Sequence, residues 1–130
     1  MEIDAQKNKH DLVKADDLVA NMSLAELKGY IAAVVKQRGF MQEGPRDVVL
    51  LMVEEVGELA KAVRKLVGLK IDQSKAGSYS LVEEEAADVF FYLLELCHVL
   101  NIDLFTALKN KELKNEKRFF VAHEEPQIKK

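Results

Sequence analysis

The chain has 130 residues, with 22 acidic against 19 basic side chains and a formal charge of −3. That length fits one domain able to bury a core without metal or disulfide staples, and the slight acidity argues against a general binder of nucleic-acid polymers. A composition 48% hydrophobic and 32% charged excludes global disorder, and the single cysteine, Cys97, excludes an intramolecular disulfide and fits a reducing compartment.

The N-terminal residues carry no apolar signal region, and no run reaches the length of a membrane span. A cytoplasmic chain with no membrane partner is therefore expected. Residues 1–22 read as a polar arm, with room for a short helix around Leu12 to Val19. Organisation begins at Ser23-Leu-Ala-Glu26, a capping box. The helix it opens should run to about Arg38, with Leu24, Leu27, Ile31, Val34 and Val35 on one face and Gly39 as its stop.

Gly44-Pro45 marks the next start, because proline suits the first helical position. The pattern then stays helical to about Val67, and Gly68 ends it. Val49, Met52, Val56, Leu59, Ala60, Val63, Leu66 and Val67 fill one sector and are expected to face the core. Glu54 and Glu58 lie outside that sector beside Lys61 and Lys65, whereas Glu55 sits on its border. Ile71 to Ser80 reads as a loop.

Ser80-Leu-Val-Glu83 is a second capping box, and its helix should reach Leu100. Apolar residues surround most of this helix, which implies burial in the chain's own core or against another subunit. Glu84, Asp88, Glu95 and His98 form a narrow polar sector, while Glu85 falls between Tyr92 and Leu96. A carboxylate there is costly unless something pairs with it, and the helix itself contains no lysine. The partner is then a cation from a neighbouring helix or a bound metal. Glu85 with Asp88, and Glu55 with Glu58, are both i,i+3 pairs that point from one helix face. Facing each other, they would supply hard oxygen donors suited to Mg²⁺, Mn²⁺ or Ca²⁺ rather than zinc.

Asn101 suits a left-handed helix stop, and Asp103 a cap for a fourth helix from Leu104 to about Phe120. Its stripe begins as Leu104 and Leu108 and continues as Lys111, Asn115 and Arg118. That change from leucine to cations suggests contact with an anion, for which an arginine fork is well shaped. The segment with Lys109, Lys114 and Lys117 is otherwise a solvated helix end favourable to the dipole. The whole pattern predicts an all-α bundle of about four helices.

Glu54-Glu55-Val-Gly-Glu58 is an E-E-x-x-E motif, Glu85-Ala-Ala-Asp88 an E-x-x-D motif leading to Tyr92, and Lys111, Asn115 and Arg118 follow downstream. In this order they resemble the MazG-like nucleotide pyrophosphohydrolases of the all-α nucleoside triphosphate pyrophosphatase superfamily. The resemblance covers about Leu24 to Phe120 and divides the chain into the arm, a domain over 23–122 and a charged tail over 123–130. It implies Mg²⁺-dependent cleavage of a (d)NTP to (d)NMP and pyrophosphate, with nucleotide-pool cleaning as the role and Mn²⁺ as an alternative metal. It also implies Glu55, Glu58, Glu85 and Asp88 as metal ligands, and Glu54 as an outer group or base that orients water. Glu54 and Glu55 are the catalytic pair by this match, and Tyr92, Lys111, Asn115 and Arg118 the nucleotide contacts. Arg38, Phe40 and Gln42 are candidates for base recognition by position, and the assembly implied is a homodimer or homotetramer.

Phosphoribosyl-ATP pyrophosphohydrolase specificity occurs in the same superfamily and is an alternative, as is a non-enzymatic helical interaction module. Glu95-Leu-Cys-His98 matches the E-x-x-H of di-iron bundles. Such bundles need two copies, and His10 and His123 have no Glu three residues before them. His98 is therefore expected at the surface or a subunit contact, and Cys97 as a small buried helix residue.

Overall fold

A computed structural model describes residues 12–70, 72–74 and 81–118. Among these residues the structure is all-helical: α1 is Leu24–Gln37, α2 Pro45–Leu66, α3 Val82–Val99 and α4 Leu104–Asn115, preceded by a short 3-10 turn at Ala15–Asp17. None of the helices is long and apolar enough to cross a membrane alone. The tail over 123–130 and most of the Ile71 to Ser80 loop lie outside the described residues.

Local chemistry explains where the helices begin and end. Ser23 accepts from the Glu26 amide while Glu26 accepts from the Ser23 amide, closing the expected box. At the other end of α1, Gly39 takes φ +82°. The Gly39 amide donates to the Lys36 carbonyl and the Phe40 amide to Val35. This paired arrangement satisfies carbonyls that the helix end would otherwise leave open. Gly68 (φ +79°) closes α2 in the same way, and Asn101 (φ 53°) closes α3.

Pro45 occupies the first position of α2, and the Asp47 carboxylate accepts from the Gly44 amide. Asp103 accepts from the Thr106 amide to start α4. Ser80 lies outside the described residues, and α3 begins at Val82 with Leu81 as its N-cap and no side-chain cap bond.

The core is built around α3, which packs against both α1 and α2, while α4 packs on α1. Ile31 and Val35 of α1 meet Leu94 of α3, and Leu27, Tyr30, Phe91 and Leu104 close around them. Two side-chain ties hold the periphery. Lys28 donates to the Ile102 carbonyl at 2.8 Å, linking α1 to the α3–α4 turn. Gln37 exchanges two bonds with the Val13 backbone and fastens the arm to the end of α1.

The face of α2 departs from expectation. The packed positions are Val48, Met52, Glu55, Leu59 and Ala62, a 4-3-4-3 series. Much of the expected core sector instead stands exposed: Val49, Val56, Val63, Leu66 and Val67, together with Val53. Val49, Val53, Val56, Ala60, Val63 and Val67 make a second 4-3 series beside the packed one. The helix thus has two neighbouring seams, and α3 takes the less apolar of them, the one that includes Glu55.

Leu94 is 1% exposed at the centre of the core. Leu94→Ala should therefore reduce unfolding free energy by about 2–5 kcal/mol in urea titration. A loss near zero would contradict this placement of the core.

Candidate metal centre

The packed seam of α2 carries Glu55 to α3, where Glu85 and Asp88 lie one turn apart. One carboxylate oxygen from each of the three lies within 4.8 Å of the others. Glu85 is buried, Glu55 half-buried and Asp88 exposed, so the group opens to solvent on the Asp88 side. Burial, then a side-chain hydrogen bond with Glu85, raises the Glu55 carboxyl above its ordinary range. The charges that act on it, from Asp88, Glu85 and Glu54, are all negative and raise it further.

Glu85 Oε2 is buried without a hydrogen-bond partner. A buried oxygen of this kind is costly unless a cation or donor satisfies it. Three hard donors, one orphaned, in a field of like charge fit a divalent cation of the Mg²⁺ or Mn²⁺ type. Glu54 and Glu58 are exposed on α2 and stand outside the three-carboxylate group.

Tyr92, one turn beyond Asp88, stacks edge-on with Phe91 at 5.6 Å between centroids. Its phenol is raised first by burial and then by Glu55, Glu43, Glu95 and Asp88. Tyr92 therefore lies between the three-carboxylate group and a second pair of acids. Arg38 reaches the Phe91 ring at 5.9 Å, a cation–π distance, and is thereby occupied at the end of α1.

Lys111 and Asn115 belong to α4, which packs on α1. Asn115 donates to Glu112 at 2.9 Å, and its Oδ1 is buried without a hydrogen-bond partner. The helix stops at Asn115 rather than continuing to Phe120, and Arg118 lies in the following turn with its amide on the Asn115 carbonyl. The leucine-to-cation stripe is thus broken before Arg118. Phe120 lies outside the described residues.

Sequence reasoning misplaced one acid. Glu95, expected in the polar sector of α3 beside His98, is 1% exposed. His98 itself is exposed, and it belongs to no candidate metal-binding group among the described residues. Burial and a hydrogen bond with the Glu43 side chain push the Glu95 carboxyl up to about 7. Glu43 comes from the loop before α2, and helical projection of α3 alone carries no trace of it. Cys97 is buried as expected, and burial raises its thiol.

The sign of the Glu95 effect on stability follows from its direction. A carboxyl raised from 4.5 to about 7 contributes stability fully below about pH 4.5. That contribution is lost as pH rises through about 7. Glu95→Leu should accordingly raise Tm more at pH 8 than at pH 5 in thermal scans. An equal shift at both pH values would show that Glu95 ionises as freely folded as unfolded.

Residues 43–119 match the MazG nucleotide pyrophosphohydrolase domain, a span holding all three clustered carboxylates and Tyr92. The uncharacterized protein YvdC of Bacillus subtilis (strain 168) is 30% identical over 103 residues, covering 75% of this chain and 97% of that protein. The chain belongs to the MazG nucleotide pyrophosphohydrolase family.

Proposed function

We propose that this chain hydrolyses nucleoside triphosphates between the α and β phosphates, releasing the monophosphate and pyrophosphate, in the service of nucleotide-pool cleaning in the cytoplasm. The observation that carries the reading is the group formed by Glu55, Glu85 and Asp88, with a buried oxygen of Glu85 left without a partner. Family membership supplies the reaction class.

Glu55, Glu85 and Asp88 would hold Mg²⁺, with Mn²⁺ as the alternative and Glu58 joining from the next turn of α2. The bound cation supplies charge neutralisation at the phosphate oxygens and a more acidic water. Around it the chain's own side chains do the rest. Glu54, exposed one residue before Glu55, orients or deprotonates the attacking water. Water adds to phosphorus, the bridging P–O bond breaks, and pyrophosphate leaves with that electron pair. Lys111, Asn115 and Arg118 offer cationic and amide donors to the leaving pyrophosphate. Tyr92 borders the reacting end.

The assembly proposed is a homodimer, or a tetramer of two such dimers, joined through α2. Val49, Val53, Val56 and Val63 are each 38% to 58% exposed along one helical seam. A 4-3 stripe of β-branched residues is the pattern that packs against another helix.

Asp88→Asn and Glu58→Gln should each lower kcat by roughly two to three orders of magnitude, with Tm kept. Pyrophosphate and orthophosphate release from a panel of nucleoside triphosphates with Mg²⁺ measures this. Orthophosphate alone, or unchanged turnover in either variant, would overturn the assignment. Light scattering should give a dimer or tetramer for the wild type and a smaller species for Val53→Glu. A monomeric wild type would contradict the seam.

A further inference from the structure

A cavity of about 310 Å³ opens between the end of α1 and the last turns of α3. Ala32, Ala33 and Phe40 form apolar wall, and Glu43 and Glu95 are among the lining residues. The size is at the lower end of small-ligand sites, which run from about 300 to 1,000 Å³ and are mostly apolar with a few fixed polar groups. The helix stop at Gly39 shapes this wall. It turns the chain so that the Phe40 amide bonds Val35, and the Glu43 amide then bonds the Phe40 carbonyl at 3.2 Å.

One observation makes this more than a pair of acids. Glu95 is 1% exposed, and its Oε1 is buried with no hydrogen-bond partner. The side chains of Glu95 and Glu43 are joined by a hydrogen bond, which two carboxyls form only when one of them keeps a proton. The pair therefore carries one shared proton and, beside it, one buried acceptor without a partner. His98 and Lys36 stand at the same cavity, both exposed.

Position ties the cavity to the carboxylate centre. Glu95 lies seven residues after Asp88 on α3, two turns along the same face and about 10 Å away. Tyr92 stands between them and responds to the carboxylates of both groups. A nucleotide with its phosphates at Glu55, Glu85 and Asp88 would extend its base toward the cavity.

We propose that this cavity is a base-specificity pocket in which the Glu95–Glu43 pair selects an amidine edge, the amino group beside a ring nitrogen shared by cytosine and adenine. The amino group donates to Glu95 Oε1, and the ring nitrogen accepts the shared proton. Uracil and hypoxanthine carry a carbonyl oxygen where the amino group belongs, which sets lone pair against lone pair. Phe40, half exposed at the cavity wall, provides a flat surface for the ring. The inference rests on the pyrophosphohydrolase reading only in placing the phosphates at the carboxylate centre.

The test uses two matched pairs, cytidine against uridine and adenosine against inosine, which differ at this edge. Binding of the four nucleosides to the full chain is measured by saturation-transfer NMR titration without metal. Hydrolysis of the four triphosphates is measured separately. We expect the amino member of at least one pair to bind about tenfold or more tightly than its oxo partner, the pyrimidine and purine arms showing which ring the cavity admits. Glu95→Gln, whose amide keeps an acceptor beside a donor, should retain that preference. Glu95→Leu should lose it while staying folded, with a Tm no lower than the wild type's, and keeping its oligomeric state.

Equal binding of amino and oxo members, or a preference that survives Glu95→Leu, would overturn the proposal. Hydrolysis of all four triphosphates without discrimination would overturn it while leaving the pyrophosphohydrolase reading intact. Amino-selective nucleoside binding without any hydrolysis would uphold the pocket and refute that reading.

Discussion

The seam between α2 and α3 carries a conflict that organises the molecule. Packing two amphipathic helices favours apolar contact, yet this seam encloses the carboxyls of Glu55 and Glu85 beside Asp88. Like charges at this distance repel, and removal from water raises that cost. The rise in the Glu55 carboxyl is the local sign of it. Glu85 adds a buried oxygen that no protein donor satisfies. A fold selected for stability alone would place leucine at these positions; here the packing of Val48, Leu59 and Ala62 holds the acids in register. A divalent cation resolves the conflict by turning repulsion into shared coordination.

The same seam accounts for the outer surface. Because α3 takes the face of α2 that bears Glu55, the more apolar neighbouring stripe from Val49 to Val67 is left in the open. A single chain thus builds its acidic centre at the expense of leaving the more apolar face of α2 exposed. Closing that stripe against a second copy would bury the valines and stiffen the helix that supplies Glu55. Site and proposed assembly would in this sense be two sides of one helix.

Features encoded locally were legible in the sequence. The box at Ser23, the glycine stops at Gly39 and Gly68, the Gly44-Pro45 start and the Asn101–Asp103 turn each depend on a few adjacent residues, and each stands where chain chemistry puts it. Glu85 was legible too, since a carboxylate flanked by large apolar side chains on a helix has few ways to reach water. The face of α2 was not. Its two 4-3 series lie side by side, and hydrophobicity picks the wrong one because the choice is made by α3. Glu95 escaped for a similar reason: its burial depends on Glu43 and on the end of α1, remote in sequence. The end of α4 at Asn115 likewise breaks a stripe that periodicity alone would extend.

The central claim, that Glu55, Glu85 and Asp88 form a cation site, is open to a direct count of bound metal. Electron paramagnetic resonance of Mn²⁺ titrated into the nucleotide-free chain would measure it, with Glu85→Gln as the comparison and circular dichroism as the check on folding. The wild type should bind Mn²⁺ competitively with Mg²⁺, and folded Glu85→Gln should bind it more weakly by about tenfold or more. Equal affinity in the two proteins, or no bound Mn²⁺ in the wild type, would contradict the account.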